Sequence, residues 1–329
     1  MLLLNMLTSK YYILIFLIIL FFNNFSYGKE ENFNIWISEL RSEAIKKGIS
    51  ENTFDNAMNN IVILDKVKKL DKKQPERVIT FIDYHKRTVN EKRIKIGREK
   101  FNLHKNEIID IANKYGVQAR FILAIWGIET NYGSYTGSFS VISSLTSLAY
   151  NGRRAKFFRN QLLDALEILD KGYIELKDMK GSWAGAMGQS QFMPSSYLEY
   201  AQDFDNDGKK DIWNNYGDVF ASIAFYLKSH GWDSTKTWGR EVNVPLKILK
   251  LYKDNYTGPE SLKYWSDIGI KKINGEDLPN SNLKANLILP DGTKGKAFLV
   301  YKNSYIIKKY NASTYYALSV GILSDRIKF

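Results

Sequence analysis

The order of apolar and polar positions predicts a mostly helical chain. Between residues 33 and 47 apolar side chains recur at the spacing of one helical face, and Gly48 stands where that helix would end. Ser50 then has the position and the side chain of a helix N-cap. Further helices are predicted over residues 51–59, 91–104, 107–115, 119–129, 158–169 and 219–230, and a last one ends near Ile327; residues 141–150 are apolar.

After Trp238 the pattern changes to alternation. Val242, Val244, Leu246 and Ile248 occur at period two, which is typical of a strand with one buried face. Further strands are predicted at residues 287–289, 297–301 and 306–307, with a turn at 290–292. The pattern therefore predicts a small β unit inserted before the chain returns to helix.

The first 28 residues are predicted to be a signal peptide. Lys10 is their one charge, and residues 11–22 form an unbroken apolar run that leads to the small residues Ser26 and Gly28. The run is shorter than the roughly 20 residues that a membrane-spanning helix needs. An uncleaved anchor is the alternative, and this flank carries no cysteine for a lipid anchor.

Composition limits the chemistry. The chain has 329 residues, no cysteine and a formal net charge of +12. Disulfides, thiolate metal sites and cysteine nucleophiles are therefore excluded. The positive net charge indicates an anionic partner. Because the lysines are spread along the chain and export is predicted, an acidic cell-wall polymer or membrane surface is favoured over nucleic acid. A solvated basic surface is the simpler alternative.

Glu129 stands out because it follows an apolar helical face. Phe121, Ala124, Ile125 and Ile128 share that face, and the glutamate lies at its edge. Burial would raise the pKa of its carboxyl group and suit it to donate a proton near neutral pH. The alternative is a glutamate at a helix end whose stem packs while its carboxylate stays solvated.

Residues 181–197 combine glycines, small residues, aromatics and two glutamines, in the order Gly-Ser-Trp-Ala-Gly-Ala-Met-Gly-Gln-Ser-Gln-Phe-Met-Pro-Ser-Ser-Tyr. Gly185 and Gly188 allow close approach of a ligand or of another backbone. Ser182, Gln189 and Gln191 offer neutral hydrogen-bonding groups beside aromatic faces that can stack on sugars. A tight contact between helices would account for the glycines equally well.

An acidic loop follows at residues 203–208. Acids at its first, third and fifth positions and glycine at the sixth follow the pattern of a calcium-binding loop. The twelfth position is Asn214, where a bidentate glutamate would be expected, and a longer loop closed by Asp218 would restore that ligand. A solvated acidic turn is the alternative.

Three separated motifs resemble the lytic murein transglycosylase B family. They are Ile-Trp-Gly-Ile-Glu-Thr-Asn-Tyr-Gly at residues 125–133, the glycine-rich segment at 181–197, and Tyr-Asn-Ala-Ser-Thr-Tyr-Tyr-Ala at 310–317. The resemblance covers nearly all of the chain after the predicted signal peptide, and the motifs stand in the family's order. It is much more specific than a single short pattern.

The fold that the resemblance implies is mainly α: a lysozyme-like helical core with a helical N-terminal domain and a small inserted β domain. The expected boundaries are a signal peptide at 1–28, a helical domain at 29–98, a catalytic core with a calcium-type loop at 99–238, a β-containing domain at 239–305, and a C-terminal segment at 306–329 that returns to the core.

The activity that the resemblance implies is cleavage of peptidoglycan between N-acetylmuramic acid and N-acetylglucosamine. The family's catalytic acid falls on Glu129, which would protonate the glycosidic oxygen and then, as a base, promote closure of a 1,6-anhydro ring. One carboxyl group is enough in this family, whereas most glycosidases use two. The residues expected to bind substrate are Tyr84, Ser182, Gln191, Tyr226 and Asn311.

The resemblance also implies a structural calcium ion and no cofactor for the chemistry. The expected ligands are Asp203, Asp205, Asp207, Lys209 and Asp218. A soluble periplasmic monomer is expected, with peptidoglycan strands and cell-wall synthesis or division proteins as partners and no nucleic acid. Two other functions stay open: a lysozyme-type hydrolase, and a non-catalytic wall-binding or scaffold protein.

Overall fold

The structure is a computed structural model that describes residues 32–72, 79–251 and 256–327. The predicted signal peptide lies outside these residues. The helices are α1 (32–46), α2 (Glu51–Met58), α3 (Asp65–Lys72), α4 (Phe81–Thr88), α5 (Glu91–Leu103), α6 (Lys105–Tyr115), α7 (Ala119–Thr130), α8 (Val141–Asn151), α9 (Ala155–Asp170), α10 (Pro194–Tyr200), α11 (Tyr216–Ser229), α12 (Leu246–Leu251), α13 (Leu262–Asp267), α14 (Lys302–Tyr310) and α15 (Thr314–Arg326).

Helix α7 lies at the centre of the helical core. Its residues from Phe121 to Trp126 are all fully buried, so the helix is apolar on every side and not along one stripe only. Helices α5, α6, α11 and α15 pack around it. Gly116, in the left-handed conformation, ends α6 as the sequence predicts and turns the chain into α7.

The strands form two antiparallel sheets. A two-residue pair joins β1 (Phe139–Ser140) to β2 (Lys180–Gly181) beside the glycine-rich segment. The larger sheet has the order β4-β6-β7-β3-β5. Its strands are β3 (Gly239–Asn243), β4 (Tyr256–Ser261), β5 (Lys271–Lys272), β6 (Lys284–Ile288) and β7 (Ala297–Val300).

Strand β7 attaches the larger sheet to the helices. Phe298 and Val300 belong to the main hydrophobic core, whereas Ala297 and Leu299 belong to a second core built by the β unit. Alternate side chains of one strand therefore fill two cores, as the period of two requires. Trp238, just before β3, donates its indole N–H to the carboxylate of Asp325 in α15 over 2.9 Å.

Two predicted strand segments are helical, and these predictions were wrong. Leu246 and Ile248 lie in α12, where the Ile248 N–H binds the carbonyl of Pro245 and starts a helical turn. Ile306 and Ile307 lie in α14, and both are buried in the main core. Two adjacent apolar residues fit a strand or a buried helix equally well, and proline at the start of a helical turn outweighed the alternation.

The other predicted elements are present with small shifts at their ends, and the last helix, α15, ends at Arg326. Among the described helices, none combines the length and the apolar composition needed to cross a membrane.

Candidate active site

Glu129 lies in the last turn of α7, where the chain reverses sharply. The helix ends at Thr130, and Asn131 and Tyr132 follow with left-handed φ angles of 51° and 59°. The ring of Tyr132 folds back against the helix, so that a Cβ atom at Gly127 would lie only 2.6 Å from its Cζ atom. Glycine at position 127 therefore allows the reversal that sets the direction of this last turn.

The carboxyl group of Glu129 is held in surroundings that favour its neutral form. The residue is half-buried, and burial raises the pKa of Glu129 to about 7 because the charged form loses hydration. The phenol of Tyr316 acts in the opposite direction and lowers this pKa. Within the described residues, no cation and no second carboxylate contributes to the pKa. Both protonation states are therefore accessible near neutral pH.

Two tyrosines lie beside Glu129, and a third packs on them. The rings of Tyr310 and Tyr316 are nearly parallel with centroids 6.5 Å apart, and Tyr226 meets Tyr310 edge to face at 4.8 Å. Burial raises the pKa of Tyr310 and of Tyr316 well above the usual range, and the nearby charge of Glu129 adds to this. All three phenols therefore stay protonated and can donate hydrogen bonds.

The tyrosine hydroxyls differ in their partners. Tyr310 donates to the carbonyl of Ser190 over 2.6 Å, and Tyr226 donates to the carbonyl of Lys309 over 2.7 Å. The buried hydroxyl of Tyr316 has no hydrogen bond of regular geometry within the described residues, although its interaction with Glu129 lowers the pKa of the carboxyl group. Tyr316 is therefore the phenol available to Glu129.

The glycine-rich segment wraps the turn that follows α7. Gln191 has a left-handed φ of 52°, and its side-chain amide donates to the carbonyls of Thr136 and Gly188 over 3.0 Å and 2.9 Å. Ser182 accepts a hydrogen bond from the Ala186 N–H over 3.0 Å. Both residues are half-buried.

The other predicted substrate residues belong to α4, α11 and the junction of α14 and α15. Tyr84 in α4 is half-buried with its ring 5.9 Å from that of Tyr315, and it lies near enough to Tyr316 to influence the pKa of that phenol. Asn311 follows Tyr310 directly and accepts the Ser313 N–H over 3.2 Å, at the junction of α14 and α15. Tyr84, Tyr226 and Asn311 are thus grouped around the tyrosines beside Glu129.

Tyr310 and Tyr316 were missed as site residues by the sequence analysis, although both lie inside the third motif. Their separation of six residues does not match the helical period, although the segment that joins them is helical at both ends. They meet because the chain leaves α14 at Tyr310 and starts α15 at Thr314. The motif itself was the available signal.

Two carboxylates that precede the glycine-rich segment bind groups away from Glu129. Asp170 accepts the Ser50 hydroxyl over 2.6 Å at the start of α2. Glu175 is exposed and forms an ion pair with Lys177 at 2.7 Å. Glu129 therefore has neither of them as a catalytic partner.

The acidic loop groups three of the five predicted metal ligands. Carboxylate oxygens of Asp203, Asp205 and Asp218 all lie within 4.8 Å of one another. Asp218 is fully buried and accepts the N–H groups of Phe204 and Asp211, each over 2.7 Å. Burial raises the pKa of Asp218 to about 6 despite these bonds. Three converging carboxylates fit a hard, oxygen-binding cation such as Ca²⁺.

The remaining two predicted ligands lie in the exposed turn of this loop. Asp207 accepts the N–H of Lys209 over 2.8 Å and is not part of the three-carboxylate group. The structure therefore ties Asp207 to the conformation of the turn.

Comparison with known proteins gives a family match over most of the chain. The family model described as the transglycosylase SLT domain matches residues 32–325. The membrane-bound lytic murein transglycosylase B of Escherichia coli (strain K12) is 29% identical over 297 residues, which are 86% of this chain and 79% of that protein.

Solved structures are also similar to this chain. SltB3 from Pseudomonas aeruginosa, in complex with NAG-anhNAM-pentapeptide, is 41% identical with a TM-score of 0.84, over 89% of this chain and 78% of that one. The Escherichia coli lytic transglycosylase Slt35, in complex with calcium, is 28% identical with a TM-score of 0.75, over 88% and 92% of the two chains. The residues that the family model matches include the main helical core and the whole of the β unit.

Proposed function

The chain belongs to the transglycosylase SLT domain family, and we propose that Glu129 is the single catalytic carboxyl group with which it cleaves peptidoglycan. The fold is that of the lysozyme-like lytic transglycosylases, and the enzyme is a lytic transglycosylase of the same type. One feature supports Glu129 above all others: its carboxyl group is half-buried at the end of an apolar helix, where burial raises its pKa to about 7 and no charged partner within the described residues contributes to that pKa.

In the first step Glu129 acts as an acid. It donates its proton to the oxygen of the β-1,4 bond between N-acetylmuramic acid and N-acetylglucosamine as the bond from that oxygen to C1 breaks. The apolar helix behind the carboxyl group supports this step because burial keeps the neutral form populated near pH 7.

In the second step the same group acts as a base. The Glu129 carboxylate takes the proton of the C6 hydroxyl of the muramoyl residue while that oxygen bonds to C1, which closes the 1,6-anhydro ring. Protons balance, since one is given and one is taken, and water is not a reactant. The phenol of Tyr316 stabilises the carboxylate between the two steps.

The substrate is held by neutral groups and aromatic faces. Tyr84, Ser182, Gln191, Tyr226 and Asn311 are the proposed binding residues. Stacking on tyrosine rings and hydrogen bonds to amides suit an uncharged sugar ring with acetamido groups. The relative SltB3 is solved with a NAG-anhNAM-pentapeptide, which supports a glycan strand with its stem peptide as ligand.

The direct test is Glu129→Gln, which removes the proton and keeps the shape. Release of soluble fragments from purified peptidoglycan is expected to fall by about 10²- to 10⁴-fold, while cosedimentation with peptidoglycan persists. Glu175→Gln is the control, since Glu175 is an exposed carboxylate in an ion pair with Lys177. Retained turnover in the Glu129 variant would contradict the proposal.

A calcium ion is proposed for the acidic loop, with Asp203, Asp205 and Asp218 as carboxylate ligands and Asp207 and Lys209 in the supporting turn. The ion would hold the loop together and take no part in the reaction. The support is the convergence of three carboxylates and the calcium complex of the relative Slt35.

The proposed location is the periplasm. The apolar run at residues 11–22 followed by small residues supports export through a signal peptide. The domain boundaries expected from the sequence and the monomeric state are part of the same proposal, as are cell-wall synthesis or division proteins as partners.

A further inference from the structure

Gln189 is a buried glutamine whose polar groups are all used. Its exposed fraction is 5%. The side-chain oxygen accepts the indole N–H of Trp126 over 2.8 Å, and the side-chain nitrogen donates to the carbonyl of Trp213 over 2.8 Å. Its backbone carbonyl accepts the hydroxyl of Thr130 over 3.0 Å, and its backbone N–H donates to the carbonyl of Ile212 over 2.8 Å.

Two of these four bonds, those from Trp126 and Thr130, connect Gln189 to the helix turn that carries Glu129. Trp126 lies three residues before Glu129 and Thr130 directly after it, so Gln189 holds both sides of that turn. Gly133 also contacts both residues. Its N–H donates to the Thr130 hydroxyl over 3.1 Å, and the absence of a side chain, at a φ of 79°, allows the side-chain oxygen of Gln189 to lie where a Cβ atom would be. A side chain at position 133 would meet that oxygen at 2.2 Å.

The same residue connects α7 to the end of the acidic loop. Ile212 and Trp213 follow Asp211, whose N–H binds Asp218 and whose carboxylate accepts the Trp213 N–H over 2.9 Å. Gln189 thus joins a hydrogen-bonded loop on one side to α7 on the other.

We propose that Gln189 is a positioning residue for catalysis, which acts through Trp126 and Thr130 to hold the Glu129 carboxyl group in its apolar, tyrosine-lined seat. The inference rests on the proposed function of Glu129. Gln189 itself does not contact the substrate, because it is buried and all its polar atoms already have partners.

The consequence of losing this support is specific. An error of about 1 Å in the position of a catalytic group can lower the rate about 100-fold. A looser turn would also admit water to the carboxyl group and shift the pKa of Glu129 downward, because burial is what raises it. The titratable groups around Glu129 are Tyr310 of α14 and Tyr316 of α15, with Tyr84 of α4 and Arg93 of α5 behind them.

The test is Gln189→Met, which keeps the length of the side chain and removes its two side-chain hydrogen bonds, to Trp126 and Trp213, while the backbone bonds to Thr130 and Ile212 remain. The expected result is a kcat lower by about 10- to 100-fold with KM within about twofold, and a basic limb of the pH profile of kcat/KM that moves to lower pH. The indole N–H resonance of Trp126, assigned by loss of its signal in Trp126→Phe, is expected to shift upfield because its hydrogen bond is gone.

The matched control is Gln161→Met. Gln161 is also buried, with an exposed fraction of 4%, and it bonds Ser195 through both side-chain atoms at 3.0 Å and 3.1 Å, away from α7. Its loss is expected to lower stability without moving the pH profile or the Trp126 resonance. If Gln189→Met does not fold, Thr130→Val removes one bond to Gln189 with the same shape and tests the same shifts.

Unchanged kcat and pH profile in the Gln189 and Thr130 variants would overturn the inference. Equal losses of kcat in the Gln189 and Gln161 variants, with no shift of the pH profile, would also overturn it, because both variants would then report a loss of stability alone. A wild-type protein without turnover would instead contradict the proposed function.

Discussion

Opposing influences act on the Glu129 carboxyl group. Burial raises its pKa to about 7, and the phenol of Tyr316 lowers it. A group that must give a proton and then accept one works best when neither form is strongly favoured. Two features distinguish this environment from that of an ordinary helix-end glutamate: the fully buried helix behind it, and a buried phenol instead of a cation beside it.

Tyr316→Phe tests the role of the phenol. Without it the carboxylate loses a hydrogen-bond donor, so the pKa of Glu129 is expected to rise and the basic limb of kcat/KM to move to higher pH, with kcat lower by about 10-fold. Tyr301→Phe is the control, because Tyr301 is 1% exposed but lies in the core of the β unit. A profile unchanged by Tyr316→Phe would show that burial alone sets this pKa.

Stability is expected to depend on the protonation of Glu129. Its pKa is raised from 4.5 to about 7, so the folded state binds the proton more tightly than the unfolded chain does. The resulting stabilisation is fully present below about pH 4.5 and is lost as the pH rises through 7. Glu129→Gln should therefore gain about 3 kcal/mol relative to wild type between pH 4.5 and 8.

Urea denaturation at several pH values measures this difference, with Glu175→Gln as the exposed control. A constant difference between Glu129→Gln and wild type across the range would contradict the raised pKa.

At the level of the elements, the acidic loop and α7 are joined through Gln189. The loop is closed by Asp218 and passes through Trp213 to Gln189, which holds the last turn of α7. Calcium is expected to stabilise the protein by about 2.7 kcal/mol at 100 times its Kd. Asp205→Asn is expected to remove most of this gain and Asp207→Asn less, because Asp205 belongs to the three-carboxylate group and Asp207 does not.

Thermal denaturation with chelator, and again after calcium is restored in excess, measures the calcium effect. An unchanged Tm in the wild-type protein on restoring calcium would contradict a specific site.

The sequence was sufficient for elements with long periodic patterns and clear stop signals. Gly116 ended α6 where predicted, and Glu129 was recognised at the edge of an apolar face. The sequence was insufficient for contacts between residues that lie far apart in the chain. Tyr316 reaches Glu129 from another helix, and no local pattern encodes this contact. Short apolar runs such as Ile306-Ile307 carry no period that separates helix from strand.

In the whole molecule the β unit also supports the site. Asp291, in the turn after β6, accepts the N–H groups of Phe81 and Ile82 over 2.6 Å and 3.1 Å at the start of α4. Thr80 accepts the next N–H, that of Asp83, over 3.2 Å. A turn of the β unit thus caps the helix that carries Tyr84, which lies one turn further on.

Asp291→Ala is expected to lower the free energy of unfolding by about 1–2 kcal/mol and to raise KM more than it lowers kcat, because α4 carries a proposed binding residue and not the acid. Asp291→Asn, which keeps one acceptor, should lie between it and wild type. Chemical denaturation and steady-state kinetics on the same samples give both quantities. An effect on kcat alone would contradict this role of the β unit.

The central claim is that the C6 hydroxyl of the substrate, and not water, attacks C1. Digestion of purified peptidoglycan in ¹⁸O-labelled water, followed by mass spectrometry of the fragments, tests it directly. The predicted result is muramoyl ends with 1,6-anhydro rings, which are lighter than hydrolysed ends by one water and carry no ¹⁸O. Reducing muramoyl ends that have incorporated ¹⁸O during cleavage would identify a hydrolase and contradict the proposed mechanism.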